Sequence, residues 1–225
     1  MLIPIESVLD KATAADWLAR LQAADWVDGR NTAGSLAVSV KDNLQLDDKH
    51  PLSQQLRQEV LARLGQQPEF VSAALPHKVY PPRFNCYQGG GSYGLHVDGS
   101  IMHLPDNTPM RTDLSATLFL SEPDAYEGGE LVIETEYGAQ SIKLGAGDMV
   151  LYPATSLHQV MPVTKGRRIA SFFWIESMVR DAQAREMLFS LDQTVQALTH
   201  ERGAKDEQVS NLNGLYHNLL RRWAL

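Results

Sequence analysis

The sequence predicts a mainly β protein, a sandwich or barrel carrying helices at both ends. Two observations lead to that expectation. Between Lys78 and Ile175 short β-prone runs follow one another closely, each bounded by glycine, proline or polar turn residues, a spacing typical of sandwiches and barrels. Before and after that stretch, apolar residues recur at helical spacing instead.

Thr13 is placed to cap a first helix whose apolar positions are Trp17, Leu18 and Leu21. Residues 28–34 form a turn-rich break, and 36–40 reads as a short strand. His50-Pro51 opens a second helix with Leu52, Leu56, Val60 and Leu64 along one stripe. Residues 70–75 add a short helix closed by Pro76. The β runs are then 78–80, 84–87, 93–97, 115–120, 130–134, 140–143, 149–152, 158–161 and 168–175. After Ser177 the period turns helical, with Leu188, Leu191, Val195 and Leu198 on one face. Residues 204–211 read as a polar loop and 212–225 as a last helix. The chain divides into an N-terminal helical and β support region (1–77), a β core (78–178) and a C-terminal helical extension (179–225).

Composition bounds the partners. The 225-residue chain carries a formal net charge of −7, which argues against nucleic acid or an anionic membrane as its main partner. Cys86 is the single cysteine, so no intrachain disulfide can form and nothing suggests a secreted disulfide scaffold. The start, Met1-Leu2-Ile3-Pro4-Ile5-Glu6, lacks the basic and apolar regions of a signal peptide. No stretch nears the roughly 20 apolar residues of a membrane span. A soluble, cytoplasmic protein is expected.

The chemistry concentrates in His96-Val97-Asp98, taken with His158 and Arg168. On a strand, residues two apart face the same way, so His96 and Asp98 aim together while Val97 points away. His158, reached through the Gly145-Ala146-Gly147-Asp148 turn and the run at 149–152, supplies a third ligand from another strand. Two histidines and one carboxylate are the ligand set of non-haem Fe(II) oxygenases, which keep open positions for substrate and O₂. Residues 161–166 read as a hairpin loop centred on Val163, with Gly166 free to take positive φ. His158 then lies opposite Arg168, within side-chain reach. A guanidinium suits bidentate capture of a carboxylate. 2-Oxoglutarate needs a metal for its 2-oxo acid and a cation for its far carboxylate; iron and Arg168 meet both needs. A lone H-x-D motif is common by chance, and His50, His77, His103, His200 and His217 read as bland residues of that kind. The joint pattern points to a metal.

These residues sit in stretches that resemble a known family. The stretches are Phe84-Asn85-Cys86-Tyr87-Gln88-Gly89-Gly90-Gly91-Ser92-Tyr93-Gly94-Leu95-His96-Val97-Asp98, residues 111–120, Glu127-Gly128-Gly129-Glu130-Leu131, residues 147–153, and His158 through Trp174. They are similar to the Fe(II)/2-oxoglutarate-dependent dioxygenases of the prolyl-hydroxylase-like group, and more closely to the bacterial PKHD-type (PiuC/YbiX-like) hydroxylases. The likeness covers roughly residues 78–178, and Leu188-Phe189-Ser190-Leu191-Asp192 resembles that family's C-terminal extension. The resemblance implies a double-stranded β-helix core of the jelly-roll or cupin kind. It implies Fe(II) held by His96, Asp98 and His158, and 2-oxoglutarate held by Arg168. It further implies hydroxylation with O₂ that yields succinate and CO₂, an L-ascorbate link through re-reduction of the iron, and a role in iron uptake or homeostasis. Collagen-type relatives carry lysine where this chain has Arg168; either cation serves a dicarboxylate, with a different capture geometry. Asp98 fills the position a halide would need, so hydroxylation is expected over halogenation.

Tyr87 reads equally as a cosubstrate contact and as a core tyrosine. Phe172, Phe173 and Trp174 read as core. Gly89-Gly90-Gly91, with no P-loop lysine and no following helix, reads as a flexible β connection. Residues 100–111, with Pro105 and Pro109, read as a lid or substrate loop in which His103 and Arg111 either contact substrate or, as the simpler reading, are solvated. Cys86 reads as a buried, unreactive residue. Three competing functions are a non-catalytic iron/2-oxoglutarate sensor, a structural or interaction module, and a zinc hydrolase; the last needs a general base that the sequence does not offer. The substrate is a small molecule or a protein side chain, and the C-terminal helices offer a face for a homo-oligomer.

Overall fold

A computed structural model describes residues 1–32 and 37–225. In chain order the elements are β1 (Ile3–Ile5), α1 (Lys11–Gln22), β2 (Trp26–Asp28), β3 (Lys41–Asp42), β4 (Leu44–Leu46), α2 (Pro51–Leu64), α3 (Pro68–Ala74), β5 (Pro76–Val79), β6 (Arg83–Tyr87), β7 (Ser92–His96), β8 (Ile101–His103) and β9 (Pro109–Arg111). They continue with β10 (Leu114–Phe119), β11 (Tyr126–Gly128), β12 (Leu131–Thr135), β13 (Gly138–Ile142), β14 (Met149–Pro153), β15 (His158–Val160), β16 (Val163–Gly166), β17 (Arg168–Ser177), α4 (Ala182–Arg202) and α5 (Glu207–Trp223).

Two antiparallel sheets form the jelly-roll. The larger runs β1-β14-β10-β17-β6-β4-β2, with β5 beside the far half of β17; the smaller runs β13-β12-β15-β7-β3. Strand alternation sorts the two faces of the larger sheet. Leu114, Ala116 and Leu118 of β10, with Ile169, Phe173 and Ile175 of β17, join Trp17, Leu21, Leu56, Val60 and Phe70 of the helices in one apolar core. A buried leucine or phenylalanine contributes about 1.5–3 kcal/mol, so this core rather than helix propensity fixes the helical layer. The opposite face carries Ser115, Thr117 and Arg168 toward the smaller sheet. Phe119, Tyr87 and Val150 pack there against Leu131, Ile133 and Val160. With both faces covered, every residue of β10 is buried. A third cluster docks α4 and α5 on Leu75 and Val179. Among the described residues, no helix is long and apolar enough to cross a membrane.

Several elements depart from expectation. Asp10, not Thr13, caps α1: its carboxylate accepts from Thr13 N and Thr13 Oγ1, both at 2.8 Å, and a carboxylate can satisfy two donors at once. His50 does open α2, its Nδ1 accepting from Leu52 N at 3.1 Å. Residues Ala37–Val40 form a 3-10 turn rather than a strand; Leu36 lies outside the described residues. α5 starts at Glu207, well before 212, because Asp206 accepts from Gln208 N and Val209 N. Only Val209 of that helix is buried, so its first turns carry no apolar periodicity.

The hairpin joining His158 to Arg168 is also corrected. β15 pairs with β7 and β12 in the smaller sheet, β16 turns aside to pair with β11, and β17 enters the larger sheet with Arg168 opposite Tyr87. The segment between them crosses from one sheet to the other. Gly166 does take a positive φ of 75°, and a Cβ there would meet Ala125 O at 2.2 Å. His158 and Arg168 therefore reach a common cavity from different layers.

Candidate metal centre

His96 ends β7 and pairs directly with His158 of β15. From there to the next pair, Val160 with Tyr93, β15 advances by two residues and β7 by three. That extra residue is a β-bulge. It brings the Tyr93 and His96 rings together, stacked 3.6 Å apart between centroids at an interplanar angle of 18°. Gly94 lies within the bulge, where a Cβ would come 2.9 Å from Val40 Cβ.

His96 Nδ1 lies 2.8 Å from Gly94 O, and His158 Nδ1 lies 3.0 Å from Ser156 O. Donation from each Nδ1–H to its carbonyl leaves both Nε2 lone pairs free for a metal. The two Nε2 atoms stand 3.9 and 3.8 Å from the Asp98 carboxylate oxygens. Ligand atoms of the three residues all fall within 4.8 Å of one another, so one ion could be shared among them. Ser115 Oγ donates to Asp98 Oδ2 at 2.6 Å, which orients the carboxylate just beyond the strand end. Burial, and then the adjacent His158, hold His96 far below the usual histidine range, at about 4, so its imidazole is neutral at neutral pH.

These groups line a cavity of about 770 Å³ between the sheets. Arg168 lines it too, only 1% exposed, and none of its Nε, Nη1 and Nη2 atoms has a hydrogen-bond partner among the described residues. Its guanidinium carbon lies 5.4 Å from the Tyr87 ring centroid and 5.1 Å from that of Phe119. Gly129 (φ 70°) leaves room for the arginine stem: a Cβ there would sit 3.0 Å from Arg168 Cδ and 2.7 Å from Val163 Cγ2. Tyr87 is both a core ring and a cavity wall. Burial pushes its hydroxyl up to about 12, against the pull of Arg168 and Asn43. Lys41 lies 5.4 Å from the Tyr93 ring, and burial, then Arg83, lowers its ammonium to about 8.

Phe172 and Trp174 were expected in the core but line the cavity; alternation along β17 leaves Phe173 between them in the core. Residues 100–111 contain the β8–β9 ribbon, and only its Ile101 and Met102 line the cavity. His103 is exposed. Arg111 is not a freely solvated side chain: it holds Asp113 through Nε at 2.7 Å and Nη2 at 2.9 Å and donates to Ser177 O at 3.3 Å. Cys86 is buried as expected. Ser115, Phe119 and Tyr93 were not singled out from the sequence. The signal for Ser115 was present, since Ser115 and Thr117 are alternating polar positions in an otherwise apolar strand.

Residues 82–176 match the 2OG-Fe(II) oxygenase superfamily, and residues 181–224 match the PKHD-type hydroxylase C-terminal domain. Among solved structures, a Pseudomonas putida prolyl-4-hydroxylase superposes with a TM-score of 0.53 at 18% identity, covering 78% of this chain and 92% of that one. HygX from Streptomyces hygroscopicus, solved with nickel and 2-oxoglutarate bound, superposes with a TM-score of 0.55 at 14% identity, over 78% and 82%. Fold and sequence together define a 2OG-Fe(II) oxygenase. PKHD-type hydroxylases of Teredinibacter turnerae and Pseudoalteromonas atlantica are 55% and 58% identical to this chain, each over 100% of it and 99% of the relative. The chain belongs to the PKHD-type hydroxylase family and is an Fe(II)/2-oxoglutarate-dependent dioxygenase.

Proposed function

We propose that His96, Asp98 and His158 hold the Fe(II), that Arg168 holds the far carboxylate of 2-oxoglutarate, and that the enzyme hydroxylates a substrate entering the open side of the same cavity. The observation that carries the reading is the pairing of a convergent His-Asp-His set with a buried, unpartnered guanidinium in one cavity. The donor set fits the group, since two neutral imidazoles and a carboxylate are the ligands a non-haem Fe(II) site takes. When bound, the iron supplies O₂ activation coupled to oxidative decarboxylation of the cosubstrate. The protein's residues do the rest. Ser115 steadies Asp98, Gly94 O and Ser156 O set the imidazole tautomers, and Arg168 orients the dicarboxylate. Tyr87, Phe119 and Val150 keep water from that end of the cavity.

At the mouth, Val40, Leu95, Val97 and Ile101 are exposed apolar residues lining the same cavity. They favour a substrate with an apolar portion beside the oxidised C–H. The link to iron homeostasis and the use of ascorbate as reductant are part of this proposal through family likeness, and a cytoplasmic location is proposed with them. An anaerobic titration of Fe(II) and 2-oxoglutarate tests the core of it. A weak visible metal-to-ligand charge-transfer band should appear in the wild type and vanish in His96→Ala and Asp98→Ala. Iron-loaded, folded protein with no band would refute the chelate. Metabolite extracts scored for a one-oxygen mass gain identify the substrate.

A further inference from the structure

The cavity holds more positive charge than the iron and cosubstrate use. Lys41, Arg83 and Arg168 line it, and among the described residues Asp98 is the one acid that does. Asp98 and the 2-oxo acid carboxylate together offset an Fe(II) ion, and the far carboxylate offsets Arg168. Lys41 and Arg83 are left over, in a chain whose formal net charge is −7. Nearby acids do not neutralise them. Arg83 Nη2 meets Asp48 at 2.9 Å, but Arg57 binds the same carboxylate. Arg83 Nε is buried and has no hydrogen-bond partner among the described residues. Asp28, which acts on Lys41, is itself held by Arg30 Nε at 2.9 and 3.0 Å. Lys41 is 6% exposed, and burial and then Arg83 lower its ammonium, the direction set by desolvation and a like charge.

Strand register sets the pair apart from the cosubstrate. On β6, Arg83 lies opposite Phe172, four residues from the Tyr87 that lies opposite Arg168. At about 3.3 Å per residue the two rows stand roughly 13 Å apart along the sheet. Lys41 comes from the facing sheet, where it pairs with Tyr93 and lies 5.4 Å from a ring that stacks on His96. The two cations therefore enter the cavity from opposite walls, with the Phe172 ring beside Arg83 and Trp174 next on the same face.

We propose that Lys41 and Arg83 form an anion subsite of the substrate pocket: they seat the oxyanion head of an acidic substrate, a carboxylate or a phosphate ester, while its apolar body lies against Phe172 and Trp174. This rests on the reading that His96, Asp98, His158 and Arg168 take the iron and the cosubstrate. The lysine supplies a point charge, and the guanidinium N–H adds direction to the attraction. A neutral compound of the same shape leaves both cations buried without an anion, so the pair selects for charge as well as binding it.

The test uses protein loaded with Mn(II) and saturated with 2-oxoglutarate, without O₂. The probes are hydrocinnamate, phenethyl phosphate and the neutral hydrocinnamamide. Paramagnetic broadening of their ring protons reports binding beside the metal. One acid or both should bind at least about tenfold more tightly than the amide, and the acid that binds more tightly identifies the head group. Lys41→Met and Arg83→Met should each reduce that preference, and the two together should abolish it. Affinity for 2-oxoglutarate should stay near the wild-type value in these variants, which a general loss of structure would not allow. Acids and amide broadened equally, no probe broadened at all, or an acid preference that survives the double substitution would each overturn this inference alone. A wild type that takes up Mn(II) but no 2-oxoglutarate would overturn the Arg168 reading and this inference with it.

Discussion

Replacing Arg168 by methionine separates function from stability. The native guanidinium is almost fully buried and meets no acceptor among the described residues. Exchanging buried charged groups for apolar ones of similar size is often neutral, or stabilising by about 1–4 kcal/mol. Against this stand the contacts with Tyr87 and Phe119, each of which contributes about 0.5–2 kcal/mol. A methionine restores part of that through sulfur–aromatic contacts of about 0.3–1.5 kcal/mol. The metal-free variant should then be as stable as the wild type or more so, by up to about 3 kcal/mol. For a chain of this size each kcal/mol moves the midpoint by about 2–4 °C. Cosubstrate binding should move the other way. Two charge-assisted hydrogen bonds of about 1.5–3 kcal/mol each are lost, so the Kd for 2-oxoglutarate should rise by about two to four orders of magnitude. Thermal melts of metal-free protein and anaerobic titration of metal-loaded protein measure the two quantities. A metal-free variant several kcal/mol less stable than wild type would show that Arg168 is a structural strut, and unchanged affinity would remove it from the cosubstrate site.

Ser115→Ala removes the 2.6 Å hydrogen bond to Asp98 and should weaken metal binding about 10–100-fold; Mn(II) titration followed by electron paramagnetic resonance would detect it, and wild-type affinity would argue against the orienting role. Gly129→Ala should destabilise by about 1–3 kcal/mol, because φ is 70° and the new Cβ presses on Val163 and Arg168; urea melts read the loss, and a neutral result would mean the loop relaxes freely. For pH, His96 has its folded value depressed, so the unfolded chain takes up a proton that the folded chain refuses. Metal-free protein should be fully stable above pH 6.5 and lose stability as pH falls toward about 4, with a slope of up to about 1.4 kcal/mol per pH unit. Urea melts across that range should show a shallower slope for His96→Ala, and an identical slope would assign the effect elsewhere.

The long strands and the His-x-Asp spacing were legible because period-2 patterning and ligand chemistry are local properties. Short edge strands were not: β1 and β2 have three residues each, too few for a period, and owe their pairing to β14 and β4. The spacing of His158 and Arg168 suggests a hairpin, yet the bend at Met161 and Pro162 carries the chain into another layer, and only pairing with β11 and β6 decides that. The same gap hid Phe119 as a neighbour of Arg168, since nothing in one strand reveals which strand will lie beside it. Phe172, Phe173 and Trp174 look uniformly apolar in sequence, although the middle member of such a triplet must face the opposite way on a strand, so which of them meets the cavity is not legible there.

His96 and His158 sit in one layer of the sandwich and Arg168 in the other. A small molecule gripped at both ends would act as a crossbar between two walls that otherwise meet through side-chain packing. Its arrival should slow hydrogen exchange in β15 and β17 together.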